Sequence, residues 1–488
     1  MKKFMKFFVF AIVVTVIASM FVMNGSAAAV TDPHDLKPGS DSVVFIMDAP
    51  EGGELPGDGT GRDADNPYQP IDHELFDPEK KNRYYNTAIY QATEMLQATG
   101  GTVVICGPVY LDINDGGGDH ANTADVYLAE NGLNTIKFTS VYNGVDYREK
   151  NGAKITIAKP AEIGLAGQSI WENIDIETEG TDRIIHCDSY ATLFGEGIKC
   201  YPKEEDFATV ASYYVSIAGG NRYDGGVDLT PNVVVQSGTY NIVCTGIWGV
   251  KNYRSPNGKT TYNNDGATQA KLVLEGTTTV LGNIIGTTLK GAEFSGATEI
   301  TINSGTYACD IAAVGATGMM NRDGIARITV NGGDFTNCWT VVPAASGHQN
   351  NSPAASILDL SGFKGDTLSL AKLYESATLA ENEQFTTLKL PDGVTAEQLA
   401  QAAVATTEPP AVETQPTEQT GTLVIGGDGV TTEAPETDKQ AGGKVDVDGG
   451  DGGMNLGLII GIAVAVVAVA AVVIIIVVSK KKKAKKAE

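Results

Sequence analysis

Ile300-Thr301-Ile302-Asn303-Ser304-Gly305-Thr306-Tyr307 decides how this chain folds, because its pattern recurs. Val233-x-Val235-x-Ser237-Gly238-Thr239-Tyr240 and Leu272-x-Leu274-x-Gly276 precede it. Ile328-x-Val330-x-Gly332-Gly333-Asp334-Phe335 and Leu358-x-Leu360-Ser361-Gly362-Phe363 follow. Counted from glycine to glycine, the spacing is 29, 28 and 29 residues over positions 276, 305, 333 and 362, and 38 from position 238 to 276. Spacing this constant marks stacked structural units. Each unit offers an alternating apolar segment too short to bury its inner face alone, then a glycine corner and an aromatic residue. Burial therefore requires the next unit beside it. This is the pattern of coils in a parallel β-helix. Leucine-rich repeats need a Leu/Asn ladder that is missing here, and helical repeats need a helical period where these segments alternate residue by residue.

The two ends of the chain indicate where it works. Lys2, Lys3 and Lys6 precede an apolar run from Phe7 to Met23, and Ala27-Ala28-Ala29 supplies small residues before Val30, the pattern of a cleaved secretory signal. The first cysteine is Cys106, so none follows the apolar run to carry a lipid. Leu456 to Val478 is an uncharged stretch of 23 residues, long enough to span a bilayer. Lys480 to Lys483, Lys485 and Lys486 come next and hold the C-terminus inside. A lipid-anchor signal would end in its apolar tail, and this one continues into lysines. The expectation is a single-pass cell-membrane protein, with its N-terminal domain extracellular and its C-terminus cytoplasmic.

The formal net charge is −24; with the +3 leader and the +5 tail set aside, the part between them carries −32. Such a surface repels phosphate backbones, so nucleic acid is excluded as a partner, while solubility and cation binding are favoured. A solvated acidic exterior is the simplest reading. Six cysteines, at 106, 187, 200, 244, 309 and 338, are too sparse for a disulfide framework, and no Cys-x-x-Cys occurs. Cys244, Cys309 and Cys338 fall near the same corner of successive units. Adjacent coils lie about 4.8 Å apart, so a Cys309–Cys338 bond is within reach, with free buried thiols the favoured alternative.

Composition divides the chain. Residues 1–29 are the signal peptide, and 30–101 an irregular segment rich in Gly, Asp and Pro that ends in a helix over Asn86 to Ala98. That helix has Ala88, Ile89, Ala92, Met95 and Leu96 on one face and Gly100 as its stop, and it covers the open end of the first coil. Residues 102–370 are the coils. Residues 371–405 are a closing cap containing Phe385-Thr386-Thr387-Leu388-Lys389-Leu390 and a short helix near Ala396 to Ala403. Residues 406–453 hold no aromatic residue and are rich in Thr, Pro, Glu and Gly, the composition of a disordered stalk. Residues 454–479 are the transmembrane helix and 480–488 the basic cytoplasmic tail.

Several features converge here: a helix leading into Gly100-Gly101-Thr102-Val103-Val104-Ile105, then Ile174-Asp175-Ile176, Leu193-Phe194-Gly195-Glu196-Gly197-Ile198, Val215-Ser216-Ile217-Ala218-Gly219-Gly220 and the Ser-Gly-Thr-Tyr corners. Together they resemble right-handed parallel β-helix proteins of the pectin-lyase-like superfamily, and more narrowly its exported bacterial surface members. The resemblance covers roughly Asp58 to Leu370. It implies an all-β, right-handed single-stranded parallel β-helix, and it leaves function open among pectate lyases, polygalacturonases, adhesins and structural surface proteins.

The enzymes of that superfamily can be sought residue by residue. Polygalacturonases carry Asn-Thr-Asp, Asp-Asp, Gly-His-Gly and Arg-Ile-Lys in that order, supplying an acidic pair for acid and base roles. This chain has no Asp-Asp. Its nearest counterparts are Asn122-Thr123-Ala124-Asp125, Gly347-His348-Gln349 and Arg327-Ile328-Thr329, with the last two reversed in order. Pectate lyases need calcium on acidic side chains and a basic residue beside the substrate carboxylate. Arg322, Asp323, Asp310 and Asp334 could meet across coils, but the three acids stand at unequal distances after their corner glycines.

No resident cofactor is expected. Calcium is the one cation the acidic loops could hold, at Asp58, Asp63 and Asp65 or at Asp112, Asn114, Asp115 and Asp119, although turn chemistry explains both stretches equally well. His34, His73, His120, His186 and His348 show no paired spacing for zinc, and neither a Gly-x-Ser-x-Gly elbow nor a phosphate loop occurs.

Tyr240, Tyr307, Phe335 and Phe363 take nearly the same place in successive units. They could stack sugars from outside or pack the coil from inside, and packing is the favoured reading. The long unit is more informative. Its insertion, Lys251-Asn252-Tyr253-Arg254-Ser255-Pro256-Asn257-Gly258-Lys259-Thr260-Thr261-Tyr262, brings three basic and two aromatic residues into an acidic domain, just after Trp248. Loops inserted on repeat scaffolds often carry binding. The candidate ligand-binding residues are Trp248, Lys251, Tyr253, Arg254, Lys259 and Tyr262. The reading is a membrane-tethered bacterial surface protein that binds or adheres to a polysaccharide or cell-surface glycan without catalysis. A tethered polysaccharide lyase or glycoside hydrolase and a structural envelope component are the alternatives.

Overall fold

In a computed structural model, the chain is described over residues 32–48, 56–68, 87–111, 125–128, 132–158, 161–165, 167–220, 231–246, 269–286, 290–294, 297–314, 317–320, 325–344, 355–378 and 385–405. The expected signal peptide, stalk, transmembrane helix and basic tail lie outside those residues. Among the described residues, no helix is long and apolar enough to cross a membrane.

The protein is mostly β and is built on long parallel sheets, consistent with a parallel β-helix. Among the described residues the longest sheet has eleven strands: Val43–Ile46, Gly101–Ile105, Gly132–Thr139, Gly167–Glu172, Thr192–Phe194, Asn232–Val235, Gln269–Leu274, Ala297–Ile302, Ile325–Val330, Ala355–Asp359 and Thr387–Lys389. They follow one another in chain order, and each pairs in parallel with the next. Strands that are neighbours both in space and in sequence order yet parallel require a full circuit of chain between them, which is one coil. The register reproduces the sequence period, since Val273 pairs with Thr301 and Thr301 with Thr329. A second sheet of nine strands runs alongside, and a third of four strands, Pro108–Leu111, Lys154–Ile157, Asp175–Thr178 and Lys199–Pro202, belongs to the early coils.

Alternation sets what is buried. Ile300, Ile302, Ile328 and Val330 are fully buried, while Thr301 and Thr329 between them face outward and stay partly exposed. Three of the four corner aromatics are inside, as the packing reading expects, and Phe363 is partly buried against them. Tyr240, Tyr307 and Phe335 have no accessible surface. Phe138, Trp171, Phe194 and Tyr240 form one run of ring contacts, with Phe138 and Trp171 stacked at 4.4 Å. Tyr307, Phe335 and Phe363 form another, stacked at 5.1 Å between the first two. Val280 stands between Tyr240 and Tyr307 in the register and separates the runs.

The Ser-Gly-Thr-Tyr corner has a local cause. Gly305 has φ +116°, and a Cβ there would lie 2.5 Å from the Thr278 carbonyl and 2.6 Å from the Tyr307 hydroxyl, so only glycine fits. The tyrosine folds back under the corner and donates its hydroxyl to the carbonyl of the serine three residues earlier, Tyr240 to Ser237 at 2.9 Å and Tyr307 to Ser304. A buried phenol is thereby satisfied without leaving the corner.

Both ends are closed. At the N-terminal end the helix Ala88–Leu96, capped by the Thr87 hydroxyl, places Ala88, Ile89, Ala92 and Leu96 in the core and packs on the first two strands of the long sheet. Met95, expected on that face, is exposed. The segment read as irregular contributes the first strand, Val43–Ile46, whose outer edge pairs with Gly61 and Tyr68. At the C-terminal end a helix not foreseen, Thr367–Thr378, places Leu370, Ala371, Leu373 and Ala377 in the core, and Ala396–Ala405 packs on it. The Phe385–Leu390 stretch of the expected cap supplies the last strand, Thr387–Lys389. All six cysteines are free thiols, five of them buried, so Cys309 and Cys338 are unbridged.

Candidate functional site

Trp248, Lys251, Tyr253, Arg254, Lys259 and Tyr262 lie outside the described residues, as do Arg322, Asp323, His348 and the second acidic stretch at 112–119. The other expectations can be placed. Asp58 accepts from Thr60 and pairs with Arg62 at 2.8 Å, and Asp63 accepts from Asn66 and from the Asp65 amide. The first acidic stretch is therefore a set of side-chain-closed turns, with these two carboxylates held by the loop's own donors. Asp310 accepts from Thr340 of the next coil at 2.6 Å, and Asp334 from Thr336 within its own corner at 2.7 Å. Arg327 pairs with Asp359 at 3.6 Å. Among the described residues, no group of three or more His, Cys, Asp or Glu side chains is placed to hold a metal.

The chemistry-bearing surface that does assemble is the outer face of the four-stranded sheet. Parallel register stacks its outward positions into rows. Tyr110, Thr156, Glu177 and Tyr201 form the central row; Pro108, Lys154, Asp175 and Lys199 form the row on one side. Glu179 and Lys203 lie on the other side, just past the ends of the last two strands. Alternating residues Val109, Ile155, Ile176 and Cys200 point into the core and fix which side chains face out.

The rows are cross-braced. Glu177 accepts from Lys154 Nζ at 2.7 Å and from Thr156 Oγ1 at 3.0 Å. Glu179 accepts from the Tyr110 hydroxyl at 2.7 Å and from Lys203. The Lys203 ammonium also stands 6.0 Å from the Tyr110 ring, which is 43% exposed. The electrostatics follow from this bracing. Burial acts to raise the Glu179 pKa, but the Lys203 and Tyr110 hydrogen bonds outweigh it and hold the carboxyl below its ordinary value. Burial pushes Tyr201 up to about 12, helped by the charges of Asp175 and Glu177, so it remains a neutral phenol. Asp175 is raised by burial against the pull of Lys199 and of Arg148, whose guanidinium lies 3.6 Å away.

Asp48 closes the sheet's edge. Its amide donates to the Pro108 carbonyl and its carboxylate accepts from the Tyr110 amide, standing in for a missing strand. Burial pushes this carboxyl up to about 6 despite that hydrogen bond.

Sequence reasoning did not single out this face. The alternation in Lys154-Ile-Thr-Ile, Asp175-Ile-Glu-Thr and Lys199-Cys-Tyr-Pro was a usable signal for outward polar positions, but only the register shows which of them meet. Comparison with family models, with curated proteins and with solved structures found no match.

Proposed function

We propose that this chain is a right-handed parallel β-helix of the pectin-lyase-like type, tethered to a bacterial cell membrane by residues 454–479, and that it binds extended glycans on the outside of its coils without cleaving them. The observation that supports this most is the outer face of the four-stranded sheet. Tyr110 and Tyr201 stand three strand spacings apart, about 14 Å. Between them Thr156 and Glu177 are buried and bonded to each other, and beside them lie Lys154, Lys199, Lys203, Asp175 and Glu179 at strand intervals. Ring faces for stacking, with donors and acceptors repeating along a line, suit a polymer of sugar rings. The corner aromatics are inside the coils, so recognition falls to outward residues and to inserted loops, of which Lys251 to Tyr262 beside Trp248 is the richest.

In the purified protein, Tyr110→Ala is expected to weaken glycan binding about tenfold, or roughly 1.4 kcal/mol. Its exposure means the melting temperature should hardly move. Replacing Asn252 to Thr261 with a short glycine linker should likewise reduce binding at least about tenfold while leaving the coils folded. A glycan array followed by titration measures both. Binding as tight as the parent's in both variants sinks the reading.

One observation favours the tethered lyase or hydrolase as a second reading. Asp48 stands at the edge of that same face, bonded to the Tyr110 amide, and burial raises its carboxyl toward the range a general acid or base requires. Incubating acidic and neutral polysaccharides with the protein and assaying for new ends separates the two readings, and Asp48→Asn should abolish any product formed.

The tether has its own test. Protease added to intact cells with an accessible surface is expected to release the domain by cutting within residues 406–453. Full protection of residues 30–405 under those conditions excludes this topology.

A further inference from the structure

The segment 32–42 forms a strap across the outer face of the long sheet. Its 3-10 turn, Pro33–Asp35, packs on the strands Thr192–Phe194 and Asn232–Val235. Leu36 is buried with Ile170, Ala191 and Leu193. The Gly39 amide donates to the Thr135 carbonyl, the Ser40 hydroxyl to the Gly100 carbonyl, and the Thr102 amide to the Ser42 carbonyl. Ile170, Leu193 and Val234 form an outward row in the register, yet Ile170 and Val234 are buried beneath this strap. An apolar row on an outer sheet face needs such a cover.

The far end of the strap is held by one side chain. His34 places Nδ1 2.7 Å from Asp32 Oδ1 and Nε2 2.9 Å from Glu275 Oε1. A carboxylate can only accept, so both ring nitrogens must donate, and only the imidazolium has two N–H groups. In either neutral tautomer one nitrogen would point its lone pair at a carboxylate. Glu275 is itself fixed from both neighbouring coils, by Gln236 at 3.0 Å and Asn303 at 3.1 Å.

We propose that residues 32–42 are a proton-operated latch: closed on the long sheet while His34 is an imidazolium, and opening at the Asp32–Leu36 end when His34 loses a proton, which uncovers the row Ile170, Leu193 and Val234. Burial acts to lower the His34 pKa, but the hydrogen bonds and charges of Glu275 and Asp32 outweigh it and raise the value. A group whose folded pKa is raised adds stability that is complete below its unfolded value, about 6.5 for histidine. That stability disappears as pH rises through the folded value. Glu275 and Asp32 are both held below their ordinary pKa, each by hydrogen bonds that outweigh burial, so they stay ionised across the transition. Lys271 is the other charged group acting at this end, on Asp32.

Hydrogen–deuterium exchange on the intact protein, from about pH 5 to about pH 9 and corrected for intrinsic exchange, tests the latch. Protection of the amides of His34, Asp35 and Leu36, bonded to Asp32 and Pro33, should fall at least about tenfold as His34 deprotonates. His34→Gln should be open at every pH, and Glu275→Gln, which removes one of the two carboxylates raising His34, should shift the transition to lower pH. Wild-type protection that is flat with pH overturns the proposal, as does the same transition in His34→Gln. Should His34→Gln fail to fold, the direction of the Glu275→Gln shift decides, and an unmoved transition there is equally fatal.

Discussion

Ile302→Asp is expected to destroy the stack around its coil, whereas Thr301→Asp one residue earlier leaves it standing. Ile302 has no accessible surface and lies in register between Leu274 and Val330, both equally buried. A carboxylate there would lie among buried apolar side chains, and either its ionised form or the cost of keeping it protonated opposes folding by several kcal/mol, on the order of half or more of a typical domain's net stability of about 5–15 kcal/mol. Thr301 points outward between Val273 and Thr329, where a charge stays hydrated and the change should be within about 0.5 kcal/mol. Val330→Asp and Thr329→Asp should repeat the contrast one coil later. Denaturant midpoints and protease susceptibility measure it, and equal effects within a pair would show that the register is wrong.

Trp171→Ala should have the next largest effect. Among the described residues Trp171 is the largest fully buried side chain, stacked on Phe138 at 4.4 Å and touching Phe194, and its ring N–H donates to Ser169 at 3.1 Å. Removing it opens a cavity between three coils at a cost of about 3–5 kcal/mol. Trp339, 56% exposed, is the control, and Trp339→Ala should stay within about 0.5 kcal/mol of the parent. Thermal unfolding followed by fluorescence reports both, with the blue-shifted emission lost only in the first variant. Comparable destabilisation by the two would contradict the burial assigned to Trp171.

The later coils were legible because their spacing is nearly constant and most units repeat their local chemistry: alternating strand, polar corner residue, glycine and, except where Val280 takes its place, an aromatic ring. Asn303 and Asn331 even continue from coil to coil as a ladder of corner amides, bonded at 2.9 Å. The early coils lack that regularity. Lys137 pairs with Ile170 and Ile170 with Leu193, and these steps differ in length because hairpins and turns are inserted. One insertion, Val141–Tyr142 with Val145–Asp146, closes on Asn143 and Gly144, both with positive φ as a tight hairpin turn requires. Periodicity gives no purchase on such units, so the third sheet and its outer face went unread.

Val43-Val44-Phe45-Ile46 was passed over for a different reason. A continuous apolar run does not by itself distinguish a strand from other buried chain, and it sits among turn-forming residues. The strap was invisible for the same cause that makes it informative. His34 and Glu275 lie 241 residues apart, and nothing local to either announces the other. The helix Thr367–Thr378 was obscured by its position, since it begins where the last repeat ends and its buried face is completed by another element.

Those long-range ties also shape how the molecule would answer a pull. A solenoid whose coils touch only their neighbours gives way one turn at a time from the loaded end. Tension on the chain beyond Ala405 enters through the helix Ala396–Ala405 and the strand Thr387–Lys389, then travels through Ala355–Asp359, Ile325–Val330 and Ala297–Ile302 in turn. At Glu275 the sequence of events changes. That corner is fastened to His34, and the same strap is fastened to Thr135 and Gly100, so the strands from Gln269–Leu274 back to Gly101–Ile105 share one tie. Under such a load the distal coils would unwind and rewind singly, while the proximal coils would resist as a block, a graded spring with its soft half toward the load.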